Sequence, residues 1–136
     1  MLKDMLEILN YGEVDMTILQ DVKSVLDFAS EEDTGFDSRL IMELDGVIGE
    51  LSQLVRLNKS FAMGDDSKWD QLLDNPDPQM LRLIKQYVYL NIRIKFDPPI
   101  GSVLSSLEKS LQSTAHRIII QKEEFNEQSP KTAPSD

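Results

Sequence analysis

Residues 79–111 read QMLRLIKQYVYLNIRIKFDPPIGSVLSSLEKSL. An apolar helical pattern runs to Phe96, Asp97-Pro98-Pro99 interrupts it, and a second helical pattern opens near Ser102. Each proline lacks an amide donor and its ring crowds the preceding turn, so two in succession cannot continue a helix. The chain must stop, turn and restart. This predicts a stiff helical hairpin whose turn is Phe96, Asp97, Pro98 and Pro99. In the first arm, Met80, Leu83, Ile84, Tyr87, Val88, Leu90, Ile94 and Phe96 spread widely around the axis, as expected of a central helix buried on more than one side. From Gln79 to Phe96 it would be about 27 Å long. The second arm, expected from Ser102 to about Lys122, puts Val103, Leu104, Leu107, Leu111 and Ala115 on one face. A core position for Leu107 would make Leu107→Ala cost ~2–5 kcal/mol. Ile118-Ile119-Ile120 then breaks the stripe. Three β-branched residues in a row favour extended backbone, so this run either finishes the helix or becomes a strand.

Upstream, a helix is expected from Thr17, whose hydroxyl can accept an orphan amide proton of the first turn. Its stripe is Ile18, Val22, Val25, Leu26 and Ala29, and Glu31-Glu32-Asp33 with Gly35 ends it. The strongest periodic segment follows, from Asp37 to about Leu57, with Leu40, Ile41, Leu44, Val47, Ile48, Leu51, Leu54 and Val55 at helical spacing. Gly46 and Gly49 lie inside it at a cost of ~1 kcal/mol each relative to Ala. Either another helix approaches closely there or the glycines are merely tolerated. After a loop from Asn58, Ser67 is expected to cap a short helix, Lys68 to Asp74, that carries Trp69, Leu72 and Leu73. Asn75-Pro76-Asp77-Pro78 stops it. Residues 1–16 are ambiguous: Leu2, Met5, Leu6 and Leu9 have helical spacing, but Tyr11-Gly12 interrupts it, leaving a short arm or a helix that packs on a neighbour. The polar, proline-containing residues 126–136 are expected to be disordered. The fold class is all-α: a small bundle of about four main helices with a long helical hairpin, one domain over 1–125, and a tail over 126–136.

A chain of 136 residues, 40% apolar, is long enough for one domain with a real core. Its net charge of −10 disfavours simple electrostatic docking on DNA or anionic lipid. The charge is uneven: residues 1–57 hold 13 acids and 4 bases. That acidic part is either a solvated face or a site for a basic partner. There is no cysteine, hence no disulfide and no thiolate metal site. No apolar run approaches the ~20 residues of a membrane span. Met1-Leu2-Lys3-Asp4 lacks the marks of a secretion signal. The reading is a soluble intracellular protein.

Reactive constellations are sparse. His116, the one histidine, stands mid-helix beside Arg117 and is read as a surface or interface residue. Glu123 and Glu124 are not a facing carboxylate pair. No His-Glu-x-x-His occurs, and the scattered glycines form no phosphate loop. Asp65-Asp66-Ser67 lacks the glycine and terminal glutamate of a calcium loop. Tyr87, Tyr89 and Phe96 near Arg82, Lys85, Arg93 and Lys95 could stack nucleic-acid bases. Core aromatics with long basic side chains at the rim are the favoured reading. No catalytic, metal or cofactor site is expected.

Tyr87-Val88-Tyr89-Leu90-Asn91-Ile92-Arg93-Ile94-Lys95-Phe96-Asp97-Pro98-Pro99 resembles a motif of the head–tail connector (adaptor, head completion) proteins of tailed bacteriophages. The likeness continues through Ser102, Val103-Leu104-Ser105-Ser106-Leu107-Glu108 and His116-Arg117-Ile118-Ile119-Ile120. It covers roughly residues 79–121; residues 17–57 agree only in general character. The resemblance implies an all-helical, non-catalytic subunit without cofactors, found in the virion neck and, during assembly, in the host cytoplasm. Such subunits form a homo-oligomeric ring, matched to the portal's symmetry, that joins the portal protein to a downstream neck or tail-completion protein. DNA passes through the lumen without sequence-specific binding, helped by an acidic lining, and no membrane is involved. Tyr87, Arg93, His116, Arg117, Ile118, Ile119 and Ile120 become candidates for subunit or portal contacts, and the isoleucine run could add to a sheet edge in a partner. The alternative is a small acidic helical module, regulatory or chaperone-like, that holds a basic protein partner.

Overall fold

The computed structural model describes residues 17–26, 35–74, 77–96 and 98–128. Among these, four α-helices and one 3-10 turn carry the chain: α1 (Ile18–Val25), α2 (Asp37–Leu51), the 3-10 turn Trp69–Gln71, α3 (Pro78–Phe96) and α4 (Ser102–Gln128). No strand occurs among the described residues. The all-α bundle and its long hairpin are as the sequence predicts. Residues 1–16, Ala29, Glu31-Glu32-Asp33, Asn75, Pro76, Asp97 and the tail beyond Gln128 lie outside the described residues.

Thr17 caps α1 as expected, in a reciprocal arrangement. The Gln20 amide donates to the Thr17 hydroxyl (3.1 Å), and the Gln20 side-chain carbonyl accepts from the Thr17 amide (3.4 Å). Ile18, Leu19, Val22 and Leu26 are buried from this segment. A backbone bond from the Ile18 amide to the Ser67 carbonyl (2.8 Å) ties α1 to the segment before the 3-10 turn. Lys23, itself buried, donates to Asp37 at 2.9 Å and so pins the first turn of α2 to α1.

α2 starts at Asp37 as read but ends at Leu51, six residues short of Leu57. Two features end it. The Ser52 hydroxyl donates to the Gly49 carbonyl (2.6 Å), a local bond that competes with helical pairing. The next amides, Gln53 and Leu54, bond three residues back. Val55 is still buried and Leu54 and Leu57 still pack on the core, so the apolar pattern outlives the helix. Gly46 and Gly49 are exposed, and a Cβ at either would meet nothing within 4 Å. They are tolerated, not required by a close approach.

The short helix expected over Lys68–Asp74 is a single 3-10 turn. Ser67 does not cap it. Its buried hydroxyl donates to the Ala62 carbonyl (3.0 Å) and accepts from the Gly64 amide (2.9 Å), closing the preceding loop on itself. Gln71 takes the capping role, its side chain accepting from the Lys68 amide at 2.9 Å.

α3 begins with Pro78, a residue preorganised for the first helical position, and Asp77 accepts from the Gln79 amide (3.3 Å). It is the central helix: α1, α2, the 3-10 turn and α4 all pack on it. Met80, Ile84, Tyr87, Val88, Asn91 and Ile92 are buried along it. α4 runs antiparallel to α3 and reaches Gln128, past the expected end at Lys122 and into the predicted tail. Ile118-Ile119-Ile120 is helical, so the strand alternative does not hold. Ile118 is fully buried near the start of α3, and this packing overrides the extended preference of β-branched residues. Gln121 donates to Asp77 at 3.1 Å and fixes the hairpin's register. With α3 ending at Phe96 and α4 starting at Ser102, Leu104 stands level with Ile94, and Leu107 level with Asn91.

Leu107 is half-buried and outside the buried cluster, whereas Leu44 is fully buried in it. Equilibrium urea denaturation should therefore find Leu44→Ala costing about 2–5 kcal/mol. Leu107→Ala should cost about 1 kcal/mol, near half the value of a full burial.

Candidate interaction surface

The hairpin turn is built by more than its prolines. Phe96 closes α3 half-buried, its ring edge-on to Phe36 at 6.4 Å and beneath the Arg39 guanidinium at 5.1 Å. Pro98 is exposed and Pro99 half-buried. Gly101 then takes φ +73°, the left-handed region that a side chain disfavours, and its carbonyl accepts from the Ser105 amide (3.4 Å) as α4 begins. Sequence reasoning passed over Gly101 because a lone glycine after two prolines is masked by them. The turn also presents Ile100, 88% exposed, and the first turn of α4 presents Val103, 53% exposed. Met42 on α2 is 71% exposed. An apolar residue in a proline-rich turn was the available signal for Ile100.

α2 lies across the end of α3, not along it. Phe36, before its first turn, meets Phe96, while Glu50, in its last turn, meets Asn91 and Lys95. The Glu50 carboxylate accepts from Asn91 Nδ2 (2.9 Å) and Lys95 Nζ (2.7 Å). Burial pushes this carboxyl's pKa up. The hydrogen bonds from Lys95 and Asn91 and the Lys95 charge outweigh that, and hold it below the usual carboxylate value. The hydrogen bond to Glu50 lifts the Lys95 amine above its ordinary value against a smaller effect of burial. Tyr87 is raised by burial and then by the Glu50 charge. On the opposite flank, Asp21 of α1 accepts from Trp69 Nε1 (2.8 Å) and from the Tyr89 hydroxyl. Burial, then the bond to Asp21 and its charge, pushes the Tyr89 phenol well above its normal range. Trp69 packs edge-on against Tyr89 at 6.0 Å, and Lys85 stands 5.9 Å from its ring. Tyr87, Tyr89 and Phe96 thus spend their rings inside the subunit and form no stacking platform.

The residues picked out for contacts fall into three groups. Tyr87 and Ile118 are core residues of the subunit. Arg93 and Ile119 are half-buried, and His116, Arg117 and Ile120 are exposed near the far end of α4 from the turn. The turn and the His116–Ile120 segment thus lie at opposite ends of the hairpin and do not form one patch. An open cleft of about 470 Å³ is lined by Asp45, Ser52, Arg56, Asn58 and Lys59 among others, and it brings no histidine or paired carboxylates together. No group of three His, Cys, Asp or Glu suited to a metal occurs among the described residues. No helix among them is long and apolar enough to cross a membrane.

The exposed features among the described residues of this small all-α scaffold are a few apolar side chains and charged helix faces. The chain matches the family model described as phage connector protein over residues 18–125, and it belongs to that family. It is a structural connector of a bacteriophage, a virion component. The match takes in α1 and α2 as well as the hairpin. No curated protein and no solved structure matches the chain at a significant level.

The Glu50–Lys95 pair has a defined pH signature. A lowered carboxyl pKa contributes stability that is present at neutral pH and lost as pH falls through the folded value; a raised amine contributes stability lost as pH climbs through its folded value. The pair is half exposed, so Glu50→Gln should cost only ~0–1 kcal/mol at pH 7. In thermal melts from pH 7 down to pH 3, the wild-type midpoint should fall more steeply than that of Glu50→Gln.

Proposed function

We propose that this connector forms a homo-oligomeric ring, matched to the portal's symmetry, that joins the portal of the DNA-filled head to the next neck or tail-completion component. The family match over α1 to α4 carries the reading. The hairpin supports it: Ile100 in its turn and Val103 at the start of α4 are exposed at one end, and α4 exposes His116, Arg117 and Ile120 toward the other. Two separated contact regions on one stiff element suit a subunit held between an upper and a lower partner. The His116–Ile120 end, with Ile119, serves subunit or portal contacts, as does Arg93 near the turn end of α3, and the buried Tyr87 and Ile118 support the hairpin from within. Residues 1–125 act as one domain and residues 126–136, the first three of which continue α4, as a tail that reaches a partner. A ring of subunits each carrying net −10 repels phosphate, so DNA passes through without base-specific binding. The protein works in the virion neck, enters it from the host cytoplasm during assembly, and catalyses nothing.

Native mass spectrometry of the purified protein, alone and mixed with purified portal, tests this. The expected result is a ring of defined stoichiometry on the portal. Persistent monomers with no portal association, joined instead by a basic protein in a low-order complex, would favour an acidic binding module. Replacing Pro98 and Pro99 together by Ala should leave circular dichroism helical but reduce ring formation or give swapped dimers. Unchanged assembly would show that the prolines do not set the hairpin geometry that matters.

A further inference from the structure

Two open clefts adjoin where the chain leaves α2. The first, about 370 Å³, is lined by Ser67 and Gln71 among others, and the second, about 470 Å³, by Gly49 and Arg56 among others. Asn58 and Phe61 line both, so the two make one groove. The second cleft has an apolar lining of buried Ile48 and half-buried Leu57 and Phe61. Its exposed Arg56 and Lys59 outnumber its one acid, Asp45. The first cleft is mostly polar and holds one charge, Asp66.

One end of this groove is where residues 1–16 join the subunit. The Ile18 amide, at the start of α1, donates to the carbonyl of Ser67 at 2.8 Å, and Ser67 lines the first cleft. In the sequence of residues 1–16, Leu2, Met5, Leu6 and Leu9 recur at spacings of three and four, a stripe that calls for apolar cover. The same sixteen residues carry four acids against Lys3 alone, a net charge opposite to that of the second cleft. The seven residues from Asn10 to Met16 can span up to about 25 Å. That is ample to cross a cleft of about 370 Å³ and deliver the apolar stripe to the second one.

We propose that the groove is the seat of this chain's own residues 1–16, with Leu2, Met5, Leu6 and Leu9 on Ile48, Leu57 and Phe61 of the second cleft. Residues 10–16 cross the first cleft from Ser67. The short distance to the point of entry favours the same chain over a second copy, because a tethered segment meets its seat at a high effective concentration. Seating removes apolar surface from water on both sides of the contact, and Arg56 and Lys59 add attraction for the acidic segment. The contact is independent of ring formation.

Paramagnetic NMR on the full chain tests this. The chain has no cysteine, so Gln53→Cys takes a single nitroxide. Gln53 is exposed and follows Ser52, which lines the second cleft. In the nitrogen-15-labelled, spin-labelled protein, diluted into an excess of unlabelled protein without the nitroxide, the amide signals of Leu2 to Leu9 should be broadened away. Adding Gly49→Leu should restore them. The new side chain fills the second cleft, and a Cβ at Gly49 meets nothing within 4 Å, so the fold itself is spared. Should that variant fail to fold by circular dichroism, Leu6→Asp/Leu9→Asp, which leaves the groove as it is, should restore the remaining signals of Leu2 to Leu9 instead. Signals that stay sharp in the diluted sample would overturn the proposal. Broadening that appears only when labelled protein without the nitroxide is mixed with unlabelled spin-labelled protein would give the groove to a second copy and equally overturn it. Broadening that persists in a folded Gly49→Leu protein would place the segment outside the second cleft and overturn the seat.

Discussion

The subunit is organised by the need to cover one helix. α3 presents apolar residues around most of its circumference, so no single neighbour can shield it from water. α1, the 3-10 turn, α2 and α4 each take a share, and polar bonds set each share in place. Asp21 reaches Trp69 and Tyr89, Glu50 reaches Asn91 and Lys95, and Gln121 reaches Asp77. Buried apolar surface supplies most of the driving force without direction. These bonds supply direction, because a slipped helix would leave part-buried carboxylates without their donors.

Much of this was legible in the residues. The proline pair marked the hairpin, the wide apolar spread marked α3 as central, and Thr17 marked the start of α1. What escaped reading depends on contacts distant in sequence or on competition between local bonds. Nothing near Asp21 announces that it will meet Trp69 and Tyr89. α2 stops at Leu51 although its apolar periodicity continues, because Ser52 turns its hydroxyl back on the Gly49 carbonyl. Ser67 had the right chemistry for a cap and spends it on the loop behind it. The isoleucine run follows its packing on α3, not its intrinsic preference. For the contact surface, the segment His116 to Ile120 was visible as a basic-apolar motif, but which of its side chains face outward was decided by the register of α4. Gly101 and Ile100, hidden behind Pro98 and Pro99, came into view only with the backbone.

The fold and the family converge on an assembly part. The connector family match reaches every helix described, and α4, the second arm of the hairpin that carries the recognisable motif, packs substantially on α3 alone. Exposed Ile100 and the side of α4 turned away from α3 are left uncovered by the other described helices.

That difference in coverage can be measured residue by residue. Native-state amide hydrogen exchange on the isolated protein should find the Ile84–Ile92 amides of α3 exchanging only through global unfolding. The first turns of α4, Val103 to Leu107, should open at lower free energy, and their protection should rise when the protein is assembled on the portal. Uniform protection of α3 and α4 in the isolated protein, unchanged on assembly, would contradict a hairpin held by α3 on one side and completed by partners on the other.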